Sequence, residues 1–118
     1  MCIRDSLQTP EIRVYINLAP VRDIRDPETP APTAADESGR SSQIFVMEGI
    51  ARRGSVERRA MVHGRDIYAI TAPIVVEATH RVVNGLAKRT GVVAAGEAFA
   101  AEDFLISLSP SHLSFEMQ

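Results

Sequence analysis

The side chains in this sequence that could do chemistry are few and scattered. Three histidines, His63, His80 and His112, include no His-x-x-x-His pair, so a metal site would need ligands converging from distant elements. Cys2 is the only cysteine, which excludes an internal disulfide and a multi-cysteine zinc site. Ser107-Leu108-Ser109-Pro110-Ser111-His112 sets serines beside a histidine. Nucleophilic catalysis needs convergence in space and a carboxylate to orient the base, and Ser109 to Ser111 read as turn residues. His80, next to Arg81, is expected to face solvent; His63, just before Gly64-Arg65-Asp66, is the only histidine placed like a site residue. No G-x-G-x-x-G follows a strand and no G-x-x-x-x-G-K-[ST] occurs, and Gly91 and Gly96 have the wrong spacing for either. The residues assign no catalytic group, no metal site and no cofactor site.

The most structured candidate is Gly64-Arg65-Asp66-Ile67-Tyr68-Ala69-Ile70-Thr71-Ala72-Pro73, a polar loop running into a helix start. Loops held by a rigid scaffold carry function disproportionately, and a helix start offers free N–H groups to an anion. Arg65, Asp66, Tyr68 and Thr71 are therefore the candidate substrate-binding residues. A purely structural reading stands beside this one, with Asp66 and Thr71 as helix caps and Tyr68 in the core with its hydroxyl at the rim. Upstream, Arg52, Arg53, Arg58, Arg59 and Arg65 are opposed within their run only by Glu57. Such arginines ordinarily keep hairpin edges soluble; the sharper reading is an anionic or acidic interdomain partner.

The elements that must position these residues follow from periodicity. Ile12, Val14, Ile16 and Leu18 alternate with Arg13, Tyr15 and Asn17 as in a half-buried strand, so residues 7–18 are expected to hold a first strand. From 19 to 42, Pro20, Pro27, Pro30 and Pro32 with five acidic residues read as a loop or linker. Gln43 to Arg52 is β-branched and apolar on both faces in its first half, which places it inside a sheet; a tight reversal at Arg53-Gly54 and the alternation from Val56 to His63 complete a β-hairpin. A helix is expected over 72–83, with Thr71 as N-cap, Pro73 in its first turn and Asn84-Gly85 as an αL stop. A short extended piece over 91–96, a helix over 100–108 ended by Pro110, and a last strand over 113–117 follow. The predicted class is α+β: a mixed or mostly antiparallel sheet with a β-hairpin, and one long plus one short helix on one face.

With 118 residues, 45% hydrophobic and 24% charged, the chain has room for one core. Thirteen basic against fifteen acidic residues leave a formal charge of −2, which disfavours general nucleic-acid or membrane binding. No apolar run approaches the roughly 20 residues needed to cross a bilayer, and no signal-peptide pattern opens the sequence, so a cytoplasmic address is the default. Met1-Cys2-Ile3-Arg4-Asp5-Ser6 looks like a translated adapter remnant, so residues 1–6 are expected to be a non-native leader and the chain to begin in mid-protein.

The run from Ile44 to Met117 resembles the C-terminal end of saccharopine dehydrogenase-like oxidoreductases, a group that includes saccharopine reductases and trans-acting enoyl reductases. The resemblance rests on Gly64-Arg65-Asp66-Ile67-Tyr68-Ala69-Ile70-Thr71-Ala72-Pro73-Ile74-Val75-Val76-Glu77-Ala78, Thr90 to Phe99 and Leu113-Ser114-Phe115-Glu116. It covers about two thirds of the chain. It implies that residues 43–118 are part of a C-terminal substrate and dimerisation domain. A missing N-terminal Rossmann domain would then be the partner, with NAD(P) bound by the full-length parent and a homodimer as the assembly. The glycine-rich motif of that family is absent, so the chain alone would be inactive. The rival expectation is a self-contained small α+β binding or oligomerisation module that uses the arginine hairpin as its contact surface. It requires a closed core and a paired first strand.

Overall fold

The structure, a computed structural model, describes residues 9–118; the expected leader, Cys2 and the first two residues of the expected strand over 7–18 lie outside the described residues. The chain divides into two compact units, Met1–Pro32 and Thr33–Gln118.

In the first unit, Ile12 to Asn17 form no strand, and the one regular element among the described residues is helix α1, Leu18–Arg25. This corrects both the strand over 7–18 and the loop from residue 19. Alternation supplies a face but not the backbone partners a strand requires, and Val14 stands 82% exposed. Pro20 does not break α1 because it falls in the first turn, where its missing N–H would have no intrahelical partner. Arg22 and Arg25 complement the dipole in the last turn.

The second unit is α+β, as its sequence pattern indicates. Strands β1 (Ile44–Arg53) and β2 (Val56–Arg65) form an antiparallel hairpin in the register Ile44↔Arg65 to Arg53↔Val56. The loop is Gly54-Ser55, with Gly54 at φ 60 and Ser55 at negative φ, the pattern of a type II′ turn whose twist suits the strands. Strand β3 (Ser114–Met117) pairs antiparallel with Ala60–His63, giving the order β1-β2-β3. β1 is therefore an edge strand and not the interior strand its apolar run predicts.

Helix α2 (Thr71–Val83) ends in a Schellman arrangement: Leu86 N–H donates to Arg81 O (2.8 Å), Gly85 N–H donates to Val82 O (3.2 Å), and Gly85 has φ 70. Where an extended piece over 91–96 is expected, the chain makes a bend and the short helix α3 (Ala95–Ala98), whose Glu97 carboxylate accepts from Ala94 N–H. Helix α4 (Ala101–Leu108) follows, and residues 109–112 turn, as the serine-proline pattern indicates.

Leu108 and Leu113, 3% and 4% exposed, make the core with Ile70, packed by Phe45, Val62, Phe104, Leu105 and Phe115. Phe45, Val62 and Phe115 share one face of the sheet, so the helices cover one end of that face. The rest of the sheet is bare: Met47, Val56 and Met117 are exposed on that face, and Ile44, Val46 and Ile50 on the opposite one.

Candidate functional site

The turn from β2 into α2 carries all four candidate residues, and its geometry starts at Gly64. A side chain there would put a Cβ 2.8 Å from the Phe45 ring, so glycine is what lets that ring lie across its strand partner. Asp66, 9% exposed, takes the left-handed conformation at φ 60, which aspartate tolerates better than most residues. Its Oδ1 accepts from Tyr68 N–H (3.1 Å) and Ala69 N–H (2.9 Å), and its Oδ2 accepts from Ser41 N–H (2.7 Å). Those bonds, Ser41 first, hold its carboxyl below the ordinary carboxylate range. Asp66 thus caps the turn that leads into α2 and ties it to residue 41.

Arg65 turns the other way. Its guanidinium pairs with Asp36 and lies 3.4 Å from Ser38 Oγ. The Ser38 hydroxyl, with Arg65 next, draws the Asp36 carboxyl down to about 2. Residues 34–41 form a small turn closed by the Ala34↔Ser41 bridge, so the end of the sequence predicted as a loop is ordered against the β2–α2 junction. Tyr68 is 76% exposed, not part of the core, and Thr71 is the exposed first residue of α2 rather than its cap, since Ile70 occupies that position. The structure therefore brings Asp66, Tyr68 and Thr71 to one turn but commits Asp66 and Arg65 to internal partners. Tyr68 and Thr71 remain presented to solvent.

Sequence reasoning missed a second cluster. Between α2 and α4 lies an open groove of about 400 Å³ lined by Ala72, Pro73, Val76, Glu77, Ser107, Leu108 and His112. His112 Nδ1 is buried there without a hydrogen-bond partner among the described residues. A serine, a carboxylate and a histidine thus share one groove, but not as a nucleophile and its base. The Ser107 hydroxyl donates to Phe104 O (2.8 Å), and Glu77 Oε1 accepts from Arg81 Nε (2.6 Å). The Arg81 bond lowers the Glu77 carboxyl below its ordinary range. The side chain of Arg81, 9% exposed, also donates to Asp103 Oδ2 (2.6 Å) and stacks 5.1 Å from the Phe104 ring centroid, locking α2 to α4. The only sequence signal for this lock was spacing, Glu77 and Arg81 standing four apart on a helix.

The hairpin arginines are more fully paired than their run suggests. Arg52 meets Glu57 (2.6 Å), Arg59 meets Glu48 (2.8 Å) as well as Glu57 (3.7 Å), and Arg65 meets Asp36. Arg53 and Arg58 have no ion-pair partner among the described residues. His63 and His80 are both exposed, and no group of metal-ligating side chains converges among the described residues. Nor do the glycines present fit a dinucleotide: Gly91 lies in a bend before a four-residue helix, not between a strand and a helix start. No helix among the described residues is long and apolar enough to cross a membrane. Compared with known proteins, the chain matches no family model, no curated protein and no solved structure.

Proposed function

We propose that this chain is the substrate-side C-terminal part of a saccharopine dehydrogenase-like, NAD(P)-dependent oxidoreductase, which leaves hydride chemistry to a separate dinucleotide-binding domain. The observation that carries the reading is the sheet: Met47 and Val56 on one face of the hairpin and Ile44, Val46 and Ile50 on the other are all exposed, Val46 at 62% and Met47 at 56%, as expected of a surface that another domain covers. A self-contained module would call for a paired strand over Ile12 to Leu18, whereas Ile12 to Asn17 form no strand and the hairpin leaves large apolar side chains exposed, which favours the fragment reading. In this reading Tyr68 and Thr71 line the substrate cleft, while Asp66 holds the turn that presents them and Arg65 fixes the neighbouring residue 36–38 loop. The parent would occupy the cytoplasm and bind NAD(P) outside the residues seen here.

The test is the source DNA upstream of Leu7, read in frame and expressed with the chain. A strand followed by G-x-G-x-x-G and a helix, with NADPH fluorescence enhanced on binding, supports the proposal. An authentic start codon at Met1 preceded by an in-frame stop overturns it.

A further inference from the structure

Among the described residues the ten-residue strand β1 pairs on one side only, and the direction of its outward backbone groups can be worked out. Asp66 N–H donates to Gln43 O (2.8 Å) at the end of the β1–β2 ladder. Successive residues of a strand point their amides to opposite sides, so the odd-numbered residues from Phe45 to Arg53 bond β2. The even-numbered residues Ile44, Val46, Glu48, Ile50 and Arg52 therefore aim N–H and C=O at the open edge. On the other side of the sheet β2 is occupied by β3, as the reciprocal Arg59–Gln118 bonds (3.0 and 2.8 Å) show. β1 is thus a long unpaired edge with exposed apolar side chains, the kind of edge that templates strand addition.

Its charge pattern selects an occupant. We propose that β1 pairs antiparallel with β1 of a second copy of this chain about a two-fold axis through Ile50. A two-fold perpendicular to the sheet keeps each face on its own side, so facing residues have numbers of equal parity. Among such registers, the one centred on Glu48 sets two carboxylates against each other. The one centred on Gly49 sets Glu48 against Ile50 and Val46 against Arg52. Centring on Ile50 sets Glu48 of each copy, paired within its own chain to Arg59, opposite Arg52 of the other, paired to Glu57, so the two ion pairs join into one network across the seam, with Ile50 against Ile50 and all these residues on the same sheet face. The same register makes Glu48, Ile50 and Arg52 the hydrogen-bonded positions, which is where the free amides and carbonyls already point. Gly49 and Ala51 then face each other as non-hydrogen-bonded pairs, the closest-spaced positions of an antiparallel ladder. The result is a continuous six-stranded sheet, and it stands independently of any oxidoreductase assignment.

Two variants of the full chain, each in a Cys2→Ser background, test the register. Gly49→Cys and Ala51→Cys are prepared separately, then mixed and oxidised in air. The expected result is a covalent dimer on a non-reducing gel from the mixture and from neither variant alone. A dimer from Gly49→Cys alone reports the register one step away, and no cross-link in any sample reports an unpaired edge; either overturns the proposal. Light scattering on the unmodified chain should give twice the chain mass, and Ile50→Lys, which sets two ammonium groups together on the axis, should give a monomer with unchanged circular dichroism. A monomeric unmodified chain overturns the proposal as well.

Discussion

Among single residues, Asp66 does most to shape the candidate site, and its work is conformational. The carboxylate gathers three backbone N–H groups that would otherwise be orphaned at a turn, and the residue does so from a left-handed backbone. Asp66→Ala loses the acceptors and keeps the backbone strain, whereas Asp66→Asn keeps one acceptor oxygen and a side chain that tolerates positive φ. Thermal melts should rank wild type above Asp66→Asn above Asp66→Ala, and equal midpoints would show that the turn is held by its flanks alone. The neighbouring Asp36 sets a pH dependence. Its carboxyl titrates at about 2 when folded, below the ordinary value of 3.8, so the folded state binds fewer protons than the unfolded one. That contribution is complete above the unfolded value and is lost as pH falls through the folded one. Urea midpoints should hold level above about pH 5 and decline between about 4 and 2, with Asp36→Asn flattening the acid limb.

Between elements, the α2–α4 contact rests on one cation. Arg81 is nearly enclosed, satisfies two carboxylates and covers the Phe104 ring, which in turn meets Phe99 at 5.3 Å. Removing Arg81 uncovers the Phe104 ring and takes the partner from the partly covered Glu77, while Asp103 stays open to water, so Arg81→Ala should destabilise by about 1–2 kcal/mol in chemical denaturation. Arg81→Lys should recover only part, because an ammonium cannot fork to Glu77 and Asp103 from that position. The hairpin, α2, α4 and β3 were legible in the sequence because each carries its own signal: period-two alternation around Gly54, an apolar helical stripe closed by Asn84-Gly85, and acidic residues opening α4. What was not legible depended on distant partners. Ile12 to Asn17 has a strand pattern but no neighbour to bond, Pro20 reads as a breaker until its place in the first turn is known, and β1 reads as interior because an edge can be equally apolar. Arg65 and Asp66 fall in the stretch that the sequence singles out, yet their partners Asp36 and Ser41 lie over 20 residues upstream, in a segment whose prolines and charges look unstructured.

For the whole chain, the balance between buried and bare apolar surface decides how it behaves in solution. Three side chains form the buried cluster, while the hairpin exposes apolar groups along both faces and α2 exposes Val75, Val76, Val82 and Val83. Since burial of apolar area is the main favourable term in folding, such a chain gains much of its stability from whatever covers it, and mass action then ties stability to concentration. If a second copy also adds to the sheet through β1, the thermal midpoint rises with protein concentration, and amide exchange carries the signature of the register. The N–H groups of the odd-numbered residues Phe45 to Arg53 bond β2 and should be protected at every concentration. Those of Glu48, Ile50 and Arg52 should exchange freely in dilute solution and become protected as the dimer forms. The amides of Ile44 and Val46, which extend past the last paired residue of the other copy, should stay unprotected throughout. Uniform protection along β1, or none of its even-numbered amides slowing with concentration, would show that the edge is closed by something else or by nothing.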